Sequence, residues 1–353
     1  MGSPEAQRVI EEFTRRVQAG ERLASNEMIR RYGSVYRQLQ KDTTALLKIK
    51  DQRQLKRWEV MRLQRMKDLE SNFINLYQGF ARSASGSIVE AQQIAVRLAE
   101  ESAERATWAG LPNGVSKQNM VNIGATWNRI PGDAFTAFVG ISADGAPLGR
   151  LLAELGPKAA KQITEEIGDG IALGYNSKKI ARNVRNRAGM PLTRALTISR
   201  TETNRAFRES SRLSYAVNSG EGGLVRGYRR MSAKSENTCI ACFAEDGTFH
   251  ETNQLMPTHP NCRCTLVPET STYRDLGLDV DMPPPPENAR DWFGRQSQAS
   301  QEKILGAERL RALNSGKLSW ENMMRRTTNK TWGPGLSIVP ISELRRTGRI
   351  PIN

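Results

Sequence analysis

All four cysteines and both histidines of this 353-residue chain fall within a few dozen positions, His250 and His259 lying between Cys239 and Cys264. A segment that concentrates its soft ligands this way is constrained to fold around them. Cys239-x2-Cys242 can hold one side of a tetrahedral ion, and a second group about twenty residues later, His259-Pro260-Asn261-Cys262-Arg263-Cys264, can close the other. Only Arg263 separates Cys262 from Cys264. On a strand, positions i and i+2 share a face, so both thiolates can address one ion. Six candidates compete for four places, and the pattern does not select among them. Two other readings stay open: disulfides from Cys239 and Cys242 to Cys262 and Cys264 after exposure to an oxidising exterior, or reduced cysteines that simply pack. A structural zinc is the expectation, not a catalytic one. No H-E-x-x-H is present and no acid is obviously placed as a base.

The rest of the chain reads as mostly helical. No Gly or Pro occurs between Gly33 and Gly79. Leu55, Trp58, Met61, Leu63, Met66, Leu69 and Phe73 recur at steps of three and four, a helical stripe, with alternating charges on the other faces. This predicts a helical hairpin or short coiled coil, which can also serve as an assembly arm. A second helix is expected over about 87–107. Glycines and prolines then break residues 109–147 into short pieces around Trp127, Phe135 and Phe138. Helices follow at 148–155 and 158–173, the latter ended by Gly174. Ser177 is expected to N-cap a helix over 178–187, closed at Gly189 to Pro191, and a last helix runs over about 193–218. From Gly223 the period changes, and 224–231, 247–250 and 264–268 read as short strands. Pro283 to Pro286 form a stiff spacer. A helical piece around 300–313 precedes loop-like sequence at Gly333-Pro334-Gly335. The fold class expected is α+β, predominantly α-helical: a long N-terminal helical region, a small mixed α/β core module holding the Cys/His cluster, and an extended C-terminal tail. The division is a helical arm over 1–110, a connecting region over 111–147, a core over 148–270, and a spacer with tail over 271–353.

Charge points to a polyanion. Lys and Arg exceed Asp and Glu by 15, and hydrophobic residues are 38%, low for a tight enzyme core. Ten Lys or Arg against two acids lie between Asn176 and Leu213. Lys178, Lys179, Arg182, Arg185, Arg205, Arg208 and Arg212 are the candidate phosphate contacts. Glu202 can pair with Arg205, and Glu209 with Arg205 and Arg212, so a salt-bridged polar helix face is the plainer reading of that stretch. Arg200 with Glu202 is weak support for catalysis, and no phosphate loop or nucleophile elbow is present. No apolar run approaches the roughly 18–20 residues of a membrane helix. The N-terminus lacks an apolar signal region, so a cytosolic product with no membrane partner is expected.

Three motifs in order are specific together. Arg200-Thr201-Glu202-Thr203-Asn204-Arg205-Ala206, then Thr238-Cys239-x2-Cys242-x3-Asp246-Gly247, then His259-Pro260-Asn261-Cys262-Arg263-Cys264, resemble the minor head, or head morphogenesis, protein family of tailed bacteriophages, typified by the F protein of phage Mu. Asp291-Trp292-Phe293, Gln296, Gln301, Ile304-Leu305-Gly306 and Arg309 resemble a segment often found downstream. The resemblance covers roughly residues 148–270. It marks Arg200, Thr201, Glu202 and Asn204 as family-motif positions. It implies a low-copy virion component associated with the portal vertex, acting in procapsid assembly, and for some members contact with packaged or ejected DNA. It implies as partners the phage portal protein, scaffold or major capsid protein, and double-stranded DNA bound without sequence preference. The site would be the capsid interior or portal vertex, with host cytoplasm during assembly. It implies metal ligation at Cys239, Cys242, His259, Cys262 and Cys264, and no enzymatic activity. The alternative is a nuclease- or ADP-ribosyltransferase-like enzyme using Arg200 and Glu202. A further reading is a non-viral zinc module that binds nucleic acid, which leaves the arm and tail unexplained.

Overall fold

Three long helices carry most of the helical residues in the computed structural model. They are α1 (Pro4–Arg53), α3 (Gln64–Ala109) and α6 (Ser177–Ala216). The structure describes residues 3–53, 55–111, 126–220, 222–274, 276, 279, 281, 284–329 and 333–350. Much of the expected connecting region, including Pro112, Gly114 and Gly124, lies outside the described residues, as does Pro283. The fold is α+β and mostly helical, as expected. Compactness divides the chain into two units that cut across the consecutive division expected from sequence. One comprises 1–18, 93–139 and 204–353; the other comprises 19–92 and 140–203.

The second unit is all helix. It holds α2 (Arg57–Arg62), α4 (Leu148–Ala153), α5 (Leu155–Ala172) and parts of the three long helices. Met28, Tyr32, Val35, Leu39 and Leu46 of α1 recur at steps of three, four and seven, so one face of the helix is buried. They meet Met66, Leu69, Phe73, Tyr77 and Phe80 of α3. Tyr32, Tyr77 and Phe80 pack edge to face, with ring centroids 5.0 Å apart for Tyr32 and Phe80. Gly156 of α5 lies against Tyr77, where a Cβ would stand 2.6 Å from the ring.

The expected stripe is only partly buried. Met66, Leu69 and Phe73 are inside, but Trp58 is 57% exposed, its ring covered by the Arg62 guanidinium at 5.5 Å. The chain turns between α1 and α3 without Gly or Pro. The Glu59 carboxylate accepts the Lys56 N–H at 2.6 Å and so starts α2. The helix expected over 87–107 is instead the end of an unbroken α3.

The break expected at Pro191 is absent, and α6 runs through it. A proline inside a helix removes an N–H and crowds the carbonyl one turn back. The carbonyl left without its helical donor is that of Arg187; beside it the Tyr32 hydroxyl donates to Ala188 O and the Thr193 hydroxyl to Gly189 O at 3.1 Å, tying the turn down. The cap also moves by one residue. Asn176 Oδ1 accepts the Lys179 N–H at 2.9 Å, while the Ser177 hydroxyl donates to Asp51 at 2.6 Å.

The first unit is mixed. β1 (Val225–Met231) is the centre of an antiparallel sheet, with β2 (Phe249–His250) on one side and β3 (Thr265–Thr270) on the other. Tyr228 pairs with His250 and with Pro268, and Arg230 with Leu266. Gly227 lets β1 and β2 approach, because a Cβ there would meet His250 O at 2.5 Å. The short helix α7 (Ile240–Ala244) follows β1.

The segment expected as an extended tail is packed. It forms α8 (Ala289–Gly294), α9 (Gln298–Leu305), α10 (Ala307–Asn314), the hairpin of β4 (Met324–Asn329) and β5 (Gly333–Ile338), and α11 (Ile341–Arg346). Phe243 of α7 anchors it, with Trp292 and Trp320 each 5.9 Å away between ring centroids. The loop expected at Gly333-Pro334-Gly335 is the start of β5. Proline is tolerated in such a two-stranded ribbon, and here the Pro334 carbonyl accepts the Thr258 N–H at 3.0 Å. Among the described residues, no helix is long and apolar enough to cross a membrane.

Candidate metal centre

The cluster is assembled from two turns beside β1. Cys239 N-caps α7, its Sγ accepting the Cys242 N–H at 3.3 Å, so one helical turn sets both sulfurs on one side. The second turn closes by a hydrogen bond from the Cys262 N–H to His259 O at 3.0 Å. Asn261 takes the left-handed backbone this turn needs, with φ 65°. Residues 262–264 are extended and lead into β3, and Cys262 and Cys264 are buried while Arg263 between them is exposed. The i and i+2 alternation read from sequence therefore holds, just before the strand and not on it.

Two groups of donors result, Cys239 with Cys242 and His259, and Cys242 with Cys262 and Cys264, each mutually within 4.8 Å. Cys242 belongs to both. His259 Nε2 lies 3.1 Å from the sulfurs of Cys239 and of Cys242, and the Cys242 and Cys262 sulfurs are 3.9 Å apart. Two Zn–S bonds of about 2.3 Å at the tetrahedral angle set sulfurs about 3.8 Å apart, so that pair fits a shared ion. The S–N contacts are somewhat tighter than an ion would set and are those of a proton-sharing pair. His259 Nδ1 lies 2.8 Å from Pro260 O. A proton on Nδ1 leaves Nε2 as the ligand atom, the arrangement common behind metal-bound histidine. The residues present could hold a metal ion.

His250, the sixth candidate, stands apart. It lies on β2 with its ring stacked on Tyr228 at 5.3 Å, and burial followed by the Arg230 charge holds its pKa below the ordinary value.

Two arginines back the cluster. Arg230 of β1 is 1% exposed and donates to Pro257 O, to the Cys242 sulfur at 3.2 Å and to the Cys262 sulfur at 3.6 Å. Burial works against its charge, but the Cys264, Cys242 and Cys262 sulfurs outweigh it and keep it protonated. Arg208 of α6 donates to the carbonyls of Cys262 and Cys264, each at 3.4 Å. The sulfurs divide: Cys239 and Cys262 are drawn toward the thiolate, while neighbouring thiols and burial push Cys242 and Cys264 up. A hydrogen bond from Cys242, then one with His259, draws Cys239 down to about 5. Burial pushes the His259 ring down, but Cys239 and Cys262 outweigh it and hold it at about 10.

Asp246 ties the module together, which accounts for the Asp-Gly pair in the second motif. Its two oxygens accept the Ser232 and Ala289 N–H groups, each at 2.6 Å. Gly247 beside it has φ 77°, and its N–H donates to Arg230 O at 2.8 Å. Sequence reading named Asp246 as a motif position without its role and missed Arg230. The available signal for Arg230 was an arginine sharing a strand face with Tyr228, directly ahead of the cysteine pair.

The basic residues divide. Lys178, Arg182 and Arg185 are exposed on α6, and Lys179 is half-buried with its ammonium 3.3 Å from the centre of the Tyr175 ring. Arg208 and Arg212 correct the expectation of a phosphate-facing row. Arg208 is buried behind the cysteines. Arg212 is held by Glu209 at 2.8 Å and by Thr252 O at 2.7 Å. Arg205 is half-buried, its guanidinium 6.0 Å from the Phe138 ring. In the family motif, Thr201, Glu202 and Asn204 are buried, and Arg200 pairs with Glu21 at 3.4 Å.

A family model described as phage Mu protein F like protein matches residues 161–267. That span contains the Arg200–Ala206 motif and the whole Cys/His cluster. The match supports assignment to a phage head morphogenesis family, in agreement with the resemblance read from the three motifs. Comparisons with curated proteins and with solved structures give no match.

Proposed function

We propose that this chain is a minor head protein of a tailed bacteriophage, a low-copy virion component at the portal vertex that acts in procapsid assembly. The observation that carries the reading is the family match over the one segment with unusual chemistry. Its role is structural and not enzymatic. Glu202, the carboxylate of the enzyme alternative, is 0% exposed, which favours a scaffold role over general acid-base work on a substrate.

The cluster holds a structural zinc. Cys239, Cys242, His259, Cys262 and Cys264 supply five donors for four places, and soft sulfur with imidazole suits that ion. When bound, the ion cross-links α7 to the segment leading into β3. Arg230 and Arg208 offset the negative charge of the thiolates, and Asp246 keeps the flanking strands and the C-terminal helices in place.

The exposed Lys178, Arg182 and Arg185, with Lys179 beside them, contact duplex DNA phosphates without reading sequence. The virion location follows from the assembly role, in the capsid interior or at the portal vertex, with scaffold or major capsid protein as further partners.

Co-expression with the portal protein of the same phage, followed by sedimentation, tests the reading. Co-migration with the portal oligomer is expected. A chain that sediments alone, with and without scaffold present, would overturn the portal assignment.

A further inference from the structure

We infer that the helical unit carries a second phosphate-backbone site, an open groove lined by Arg37, Lys41 and Lys48 of α1 and Arg65 of α3. The concavity measures about 730 Å³, and its remaining lining is Gln40, Thr44, Ala45 and Ile49. It contains four cations and no carboxylate.

All four side chains are exposed, and among the described residues none pairs with an acid. Their neighbours behave differently. Lys50 is matched by Asp51 at 3.2 Å and Arg57 by Asp169 at 3.1 Å. The acids nearest in sequence are engaged elsewhere, Asp42 by Gln38 and Asp68 by Gln64, each at 2.9 Å. Like charges left together without a counter-charge repel one another, so the arrangement costs stability unless an anion sits among them.

The spacing says what kind of anion. Residues 37, 41 and 48 lie on one helix face at steps of four and seven, about 6 Å and 10.5 Å along the axis. Thr44 falls between them on the same face, and Arg65 adds a cation from the neighbouring helix. A row of this length suits a chain of repeating charges more than one compact ion. The groove is open at the surface and admits a strand passing through it. A phosphodiester backbone has that form, and Lys and Arg both serve it, the second by forked hydrogen bonds.

The inference rests on the proposed DNA contact for the identity of the polyanion, and places part of that contact on residues outside the basic stretch 176–213. The two faces can fail separately, and the test is built on that. Binding of a 20-base-pair duplex of random sequence to the full chain is measured by fluorescence anisotropy between about 50 and 200 mM salt. Three proteins are compared: wild type, the groove variant (Arg37→Gln, Lys41→Gln, Lys48→Gln, Arg65→Gln) and the α6 variant (Lys178→Gln, Arg182→Gln, Arg185→Gln).

Each phosphate neutralised contributes about 0.9 to the slope of log K against log salt, so the groove variant should lose about 3.6 of it. Across a fourfold change in salt that is a difference of about 150-fold in how far affinity falls. The milder pair Lys41→Gln with Lys48→Gln should lose about 1.8, which keeps the test informative if the fourfold variant unfolds. An unchanged slope in the folded groove variants overturns the inference. If only the α6 variant then loses slope, the DNA contact stands and the groove has no part in it; if neither does, both assignments fall. Polyglutamate competing as well as DNA at equal charge, or tripolyphosphate alone saturating the groove with the duplex slope unaffected, would also overturn the phosphodiester assignment.

Discussion

Residues 19–92 and 140–203 close over leucine, isoleucine and aromatic side chains, whereas residues 223–270 bury sulfur and an arginine among Leu224, Val225, Tyr228 and Leu266. In the helical unit, burial is spread over many positions, and each contributes a share set by its area. In the cysteine module a handful of polar groups do the holding. Arg230 is fully buried, and the sulfurs beside it, with the Pro257 carbonyl, offset the cost of burying its charge. Distributed packing degrades gradually when side chains are trimmed. A charge-balanced cluster is less forgiving of losing a ligand, because the groups that remain are buried and unmatched.

Removal of the proposed zinc should give the largest effect. Structural zinc in small domains contributes on the order of 10 kcal/mol, nearly all of the folding free energy of such a module. Treatment with a strong chelator, or Cys242→Ser, should open residues 232–264 to protease while the helical unit keeps its melting transition. Elemental analysis of the purified protein should find about one equivalent of zinc, the content of a four-ligand site. Protein that contains no metal, with a protease pattern unchanged by Cys242→Ser, would remove the distinction between the regions.

The complementary lesion lies in the helical core. Phe73 is buried beside Tyr77, with ring centroids 6.0 Å apart. Phe73→Ala should destabilise that unit by about 3–5 kcal/mol through lost burial and the cavity left behind. Calorimetry should show the loss in the helical transition, with metal content unchanged. If zinc is lost as well, the units are not separable in this way.

A smaller effect is expected at Arg230. Arg230→Met keeps an apolar stem and removes the charge behind the thiolates. Altering groups behind a metal site typically costs about 10–100-fold in affinity. Competition with a chromophoric chelator measures this directly, and unchanged affinity would reduce Arg230 to a packing residue.

The two regions were also unequally legible in the sequence. Helical periodicity found Met66, Leu69 and Phe73 because apolar residues on one helix face must be covered by something. It could not say how far the cover extends, and Trp58 lies beyond it. The same limit misplaced Arg208 and Arg212. Spacing shows which side chains share a face, but not that Arg208 is turned inward onto the cysteine segment and Arg212 onto the Thr252 carbonyl. Pro191 misled for a different reason, since the helix around it is held by the burial of Ala188 and Ala195 and by the Tyr32 hydroxyl on Ala188 O, 156 positions away along the chain. The cysteine cluster stood out because its ligands are rare and close together in sequence. Arg230 did not, because its place on the strand face of Tyr228 is a weak signal for a buried charge.

The smallest effect concerns where α6 begins. If Asn176 is the cap, Asn176→Ala should cost about 1 kcal/mol. Ser177→Ala should cost less and should act through pH. The Ser177 hydroxyl, and secondarily Lys50, hold the Asp51 carboxyl below the usual carboxylate range. A carboxyl lowered on folding contributes stability that is present above its unfolded value and is lost as pH falls through the lowered folded value. The Asp51 side chain is about half exposed, so water and salt screen the contribution. NMR titration of Asp51 should therefore show an acid-shifted midpoint in the wild type that returns toward about 3.9 in Ser177→Ala. A midpoint that stays put would mean that Lys50, and not the hydroxyl, sets the carboxyl. The start of α6 would then rest on Asn176 alone, a local cap independent of the contact to α1.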